Sequence, residues 1–164
     1  MPSTLERCNL PEWTQLERDV ATWLSSFANN QIEYRNSYQA IPGFASDGSK
    51  SDGLLTCKGI LLAVEIEVHQ AHPDTNVGKY WFLHNELKAY KKIVLFHIYT
   101  PDFNSYGWRM RLGEFYARKM QSEVPIEYVL LDHRGAKDYD AVLRDIKTRV
   151  ADAIRREFGS VDTR

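Results

Sequence analysis

Residues 51–70, SDGLLTCKGILLAVEIEVHQ, constrain the fold more than any other part of the chain. Side chains on a strand alternate between faces. Ile60, Leu62, Val64, Ile66 and Val68 therefore make one aliphatic row, while Leu61, Ala63, Glu65, Glu67 and His69 make the other. The second row starts apolar and ends with two carboxylates and an imidazole, the pattern of a strand running from a core out into a polar cleft. Lys58-Gly59 is a two-residue hairpin loop in which the glycine supplies positive φ. That loop pairs Cys57 with Ile60 and sets Asp52 opposite Glu65, with β-carbons about 4.5 to 5.5 Å apart. A four-residue loop keeps this register and a three-residue loop shifts it by one.

Asp52, Glu65 and Glu67 are thereby expected to cluster on one face. Two carboxylates about 5 Å apart repel by roughly 3 kcal/mol at an effective dielectric near 20. A protein can leave such groups in water, protonate one of them, or bind a cation. Carboxylate oxygens facing a cleft suit Mg²⁺ or Mn²⁺, which keep several waters. A metal held this way activates water and stabilises a phosphoryl transition state. Alternate glutamates on a strand with one wet face carry no function by themselves, and that reading stands beside the first.

The rest of the chain predicts an α/β fold. A helix from about Pro11 to Phe27 carries Trp13, Leu16, Val20, Trp23, Leu24 and Phe27 at helical spacing. Residues 31–40 read as a weak strand and 41–53 as a loop. The two strands of the hairpin follow. HPDTN then supplies a turn and helix cap, and VGKYWFLHNELKAY a helix. KKIVLFHIYT is a buried strand, YGWRMRLGEFYARKMQ a helix and PIEYVLLDH another buried strand. Asp138 caps a last helix whose apolar face is Tyr139, Val142, Leu143, Ile146, Val150, Ile154 and Phe158. The first three strands should be antiparallel, and the last two join in parallel after helical crossovers. The expectation is a mixed β-sheet of about five strands flanked by helices, in a single domain over residues 1–164.

Composition narrows the function classes. The 43% apolar and 26% charged content is that of a globular chain. No apolar run reaches the roughly 20 residues that span a bilayer, and the N-terminal residues lack an apolar signal core, which points to the cytoplasm and no membrane. Cys8 and Cys57 fit no metal or disulfide spacing and read as reduced thiols. The net charge of -1 conceals an uneven distribution. Residues 1–78 hold 5 Lys/Arg against 10 Asp/Glu, and residues 79–164 hold 16 against 12.

With these elements in view, the chain resembles the PD-(D/E)XK nuclease superfamily, which includes type II restriction enzymes and Holliday-junction resolvases. The resemblance spans about residues 11–100 by element order, and by motif rests on Asp52, Glu65 and Glu67 in SDGLL…VEIEV. It implies a restriction-endonuclease-like core. It also implies Mg²⁺ or Mn²⁺ held by Asp52, Glu65 and the carbonyl of Ile66, with Glu67 or Lys79 orienting or deprotonating the attacking water. Ser51 stands in place of the family's proline, and Glu67 in place of its lysine. Some members carry glutamate there, and others take the lysine from the next helix, where Lys79 lies in this chain. Glu17 resembles the extra helical acid of some members.

The histidines add less. His69 falls on the carboxylate face and His72 on a turn, a weak spacing for zinc. His97 reads as a hydrogen-bonded core residue and His133 as a strand end. Trp108, Tyr106, Phe115 and Tyr116 interleave with Arg109, Arg111, Arg118 and Lys119, a mixture suited to nucleic acid and equally to a helix packed on a sheet. No P-loop, dinucleotide fingerprint or nucleophile elbow is present. The expected function is a metal-dependent, nuclease-like protein hydrolysing phosphodiester bonds in DNA or RNA. The alternative is a non-catalytic module on the same fold that binds nucleic acid or protein, or pairs as a homodimer.

Overall fold

The aliphatic rows of the hairpin become the middle of a five-stranded sheet. A computed structural model describes residues 13–45, 48–69, 72–104 and 107–159. Its elements, in chain order, are α1 (Thr14–Ser25), β1 (Glu33–Asn36), β2 (Gly53–Cys57), β3 (Ile60–Glu67), α2 (Pro73–Asn85), β4 (Lys92–Tyr99), α3 (Gly107–Glu123), β5 (Ile126–Asp132) and α4 (Tyr139–Phe158). The sheet order is β1-β2-β3-β4-β5. The first three strands are antiparallel, and β4 and β5 are parallel additions. This is the expected mixed α/β sheet.

The two rows of β3 part the core. Leu62, Val64, Ile66 and Val68 pack with Leu16, Val20 and Leu24 of α1 and with Val142, Ile146 and Val150 of α4. Leu61 and Ala63 pack with Val77, Tyr80 and Leu83 of α2 and with Ala117 and Met120 of α3. Helices thus cover both faces, which is why β3 and β4 are apolar in nearly continuous runs. The hairpin loop is Lys58-Gly59, with left-handed backbone at both residues (φ 49° and 82°). It gives the expected register, Gly53 opposite Val64 through Cys57 opposite Ile60.

Three boundaries differ from the sequence expectation. The weak strand 31–40 shrinks to four residues. The Asn36 side chain accepts from the Tyr38 amide and its carbonyl from the Gln39 amide, turning the chain. HPDTN is no turn before the helix: Pro73 opens α2, where its fixed φ suits the first helical position. α2 also stops at Asn85, before Lys88 takes left-handed φ. Asp138 caps α4 as expected, accepting from the Ala141 amide. Residues 11–12 of the first expected helix, Cys8 and Tyr106 lie outside the described residues, and Cys57 is a buried free thiol.

Candidate functional site

β2 begins its ladder at Gly53, so Ile66 of β3 lies beyond the last paired residue. The Asp52 carboxylate takes over there, its Oδ2 accepting from the Ile66 amide at 2.7 Å. A strand residue turns its N–H and C=O to the same side, so the Ile66 carbonyl also faces β2. At Gly53, an added β-carbon would stand 2.9 Å from the Leu24 side chain. The missing side chain lets α1 approach, bringing Glu17 beside Asp52. Both residues line a cleft of about 660 Å³ between α1 and β1, together with Arg18, Tyr34, Asn36 and Tyr38.

Glu65 and Glu67 do not face that water. They are 2% and 0% exposed and lie under α2. The Lys79 ammonium stands 2.8 Å from Glu65 Oε1, its side chain 8% exposed. It also donates to the Lys50 carbonyl at 2.6 Å and to Asn76 Oδ1 at 3.2 Å. The Tyr80 hydroxyl donates to the same Glu65 oxygen. Asn76 Nδ2 donates to Glu67 Oε1 at 2.7 Å, and His97 Nε2 meets that oxygen at 2.7 Å. Glu67 Oε2 is buried without a hydrogen-bond partner. Asn76, Lys79 and Tyr80 share one face of α2, at spacings of three and four residues.

The electrostatics follow from this crowding. Burial pushes the Asp52 carboxyl well above the usual carboxylate range, the charge of Glu65 adds to the rise, and the Ile66 amide opposes it. Burial raises Glu17 as well, with the charge of Glu67 next. Burial and the Glu65 carboxylate lift the Tyr80 phenol far above its ordinary value, so it stays a donor. Folded Asp52 therefore holds its proton more tightly than the unfolded chain does. Its contribution to stability is full below about pH 4 and is lost as pH rises through the elevated folded value. Asp52→Asn keeps an acceptor for the Ile66 amide. It is expected to flatten the pH dependence of urea unfolding between pH 4 and 8 and to raise stability near neutrality. An unchanged slope would show that Asp52 is not strained by its neighbours.

The structure thus links Glu65 and Glu67 through Lys79 and Asn76, sets Asp52 on the Ile66 amide, and places Asp52 with Glu17 at the cleft. His69 and His72 are exposed, and no three His, Cys, Asp or Glu side chains among the described residues stand together as a metal-ligand set. The group that meets Glu65 is an ammonium. Asp52, Glu65 and the Ile66 carbonyl are hard oxygen donors of the kind Mg²⁺ and Mn²⁺ take alongside water, with Asp52 Oδ2 on the Ile66 amide and Glu65 Oε1 on Lys79 and Tyr80. Asn76, Tyr80 and Tyr128 were not singled out from the sequence, although the spacing of Asn76, Lys79 and Tyr80 within a helix would have pointed to the first two. His97 is the buried, hydrogen-bonded residue expected. No described helix is long and apolar enough to cross a membrane. Comparisons with protein-family models, with curated protein sequences and with solved structures give no significant match.

Proposed function

We propose that this chain is a metal-dependent, nuclease-like protein of the PD-(D/E)XK type, acting on phosphodiester bonds of DNA or RNA. The observation that carries the reading is the Asp52 carboxylate on the Ile66 amide where the hairpin ladder ends, on a cleft wall, with Glu65 the preceding residue of β3. Asp52, Glu65 and the Ile66 carbonyl would hold Mg²⁺ or Mn²⁺. Such an ion polarises a phosphoryl oxygen and makes its bound water a nucleophile near neutral pH. The chain's own groups do the rest. Arg18, on the cleft wall with Tyr34 and Tyr38, is placed to meet a phosphate, while the tyrosines offer rings to bases. Lys79 hands its charge from Glu65 to the phosphate or the attacking water. Glu67 orients that water and takes its proton as the oxygen bonds to phosphorus. The bond from phosphorus to the leaving oxygen breaks, and that oxygen gains a proton from solvent.

The test is cleavage of end-labelled single-stranded DNA, duplex DNA and RNA with Mg²⁺ or Mn²⁺. Cleavage is expected to need the metal and to fall at least about 100-fold in Glu65→Gln, the scale of removing one group that stabilises developing charge. Equal cleavage by wild type and Glu65→Gln would overturn the reading.

A second reading is favoured by the Lys79–Glu65 contact and by exposed rings. Phe82, Trp108 and Phe115 are 50%, 54% and 43% exposed, and the Arg109 guanidinium lies 4.5 Å from the Trp108 ring centroid. A chain whose acidic pair is neutralised internally could serve as a binding module or homodimer. Substrate binding without cleavage, or a dimer mass in solution, would select it.

A further inference from the structure

The arginine- and aromatic-rich sequence of α3 takes no part in the site described above. α3 packs on the sheet through Gly113, Ala117 and Met120. Trp108, Arg111, Phe115, Arg118 and Lys119 recur at spacings of three, four and seven residues, which sets them on the opposite, solvent face. A surface helix ordinarily keeps polar side chains there. On α3 two large rings stand within that face, Trp108 at 54% and Phe115 at 43% exposed.

Cations attend both rings. The Arg109 guanidinium lies 4.5 Å from the Trp108 ring centroid, and the Lys119 ammonium 6.0 Å from that of Phe115. Arg111, Arg118 and Lys119 form no ion pair among the described residues, and Glu114 and Glu123 are the only acids on α3. On α4 the pattern differs: Arg149, Arg155 and Arg156 are paired with Asp145, Asp152 and Glu127. Unpaired positive charge is therefore a property of this face and not of the basic second half of the chain. Beside it, Tyr116 joins Phe115 to Trp81 of α2, with ring centroids 6.1 and 6.0 Å apart. Tyr116 and Phe82 also line two open grooves where α2 meets α3, of about 370 and 410 Å³.

The occupant follows from the alternation of ring and charge. Arg111 lies between Trp108 and Phe115 along the face, so there is no unbroken apolar strip for a bilayer to bury. A second copy of the chain laid along α3 would set guanidinium against guanidinium and ammonium. A duplex hides the faces of its bases. A single strand offers both partners at once, bases that stack on aromatic rings and phosphates that meet unpaired cations.

We propose that the solvent face of α3 docks single-stranded nucleic acid, with Trp108 and Phe115 stacking on bases while Arg111, Arg118 and Lys119 meet phosphates. α3 covers the sheet face opposite α1, so this surface is separate from the Asp52 cleft. It uses no metal and no step of hydrolysis, and it goes beyond the nuclease reading without resting on it.

The experiment titrates the full chain into a labelled oligothymidylate, an oligouridylate and a DNA duplex of equal length, in EDTA, and reads fluorescence anisotropy over a series of salt concentrations. The variants are Trp108→Ala, Trp108→Phe, the double variant Arg111→Gln/Arg118→Gln, and Arg149→Gln on α4. All replace exposed side chains, and a wild-type urea midpoint checks that each folds. Both single strands should bind more tightly than the duplex. Trp108→Ala should weaken binding about 5- to 100-fold, the span of one stack of base on ring, and Trp108→Phe should recover most of that loss. The double arginine variant should flatten the dependence of log K on log salt by about 1.4, two single-strand phosphate contacts at about 0.7 each. Arg149→Gln should bind as wild type does. Wild-type affinity and salt slope in both Trp108→Ala and the double variant, an equal loss in Arg149→Gln, or duplex binding as tight as single-strand binding would overturn the proposal. So would the absence of oligonucleotide binding to the wild type, with the face then holding anionic vesicles or a second copy instead. Single-strand binding without cleavage in Mg²⁺ or Mn²⁺ would uphold this surface while the nuclease reading falls, and cleavage with wild-type affinity in the α3 variants would do the reverse.

Discussion

Lys79→Met is expected to destabilise the cation-free protein by about 3 to 5 kcal/mol at pH 7, the usual result of removing one partner of a buried ion pair. The side chains of Lys79 and Glu65 are 8% and 3% exposed, and the Nζ to Oε1 distance is 2.8 Å. Without the ammonium, Glu65 is left buried beside Asp52 with no neutralising partner, and the Lys50 carbonyl and Asn76 Oδ1 lose a donor. Adding Glu65→Gln should restore most of the loss, because Gln is neutral and still accepts from Tyr80. Urea unfolding of the two single variants and the double variant makes the cycle. Mn²⁺ should also stabilise Lys79→Met more than wild type, since the ion no longer displaces an ammonium. A loss below about 1 kcal/mol in Lys79→Met would mean the pair behaves as a surface contact.

Leu62→Ala should cost about 2 to 5 kcal/mol by the same measurement, through lost burial and the cavity left behind. Leu62 is fully buried in the middle strand, flanked by Leu55 on β2 and Val94 on β4. It lies in the core that α1 and α4 share. Its neighbours are held by ladders on both sides and cannot close easily on a void. Domains of this kind have about 5 to 15 kcal/mol in total, so one such change removes a large part of the margin. A loss under about 1 kcal/mol would contradict a three-layer structure with Leu62 at its centre.

Much of the fold was legible because it depends on local chemistry. The alternation in ILLAVEIE gave the two faces of β3, and Lys58-Gly59 gave the register that carries Asp52 to Glu65. The apolar stripe from Tyr139 to Phe158 and the Asp138 cap gave α4. What stayed hidden depends on non-local pairing. A helical crossover leaves the register of a parallel pair open, so the sequence does not say that His97 lies beside Glu65 and Glu67. Reading HPDTN as a turn kept Asn76 out of α2, and with it the face shared by Asn76, Lys79 and Tyr80. Alternation along β3, which ends its second row in Glu65, Glu67 and His69, made the two glutamates look wet. They are dry because α2 starts at Pro73 and lies over them.

Asp52 and Glu65 are proposed to hold a divalent cation together. Calorimetric titration of Mn²⁺ and Mg²⁺ into wild type and Asp52→Asn tests it most directly. Saturable binding to the wild type is expected, weakened at least about tenfold in the variant because a charged oxygen ligand is gone. No binding to the wild type, or equal binding to both proteins, would contradict it.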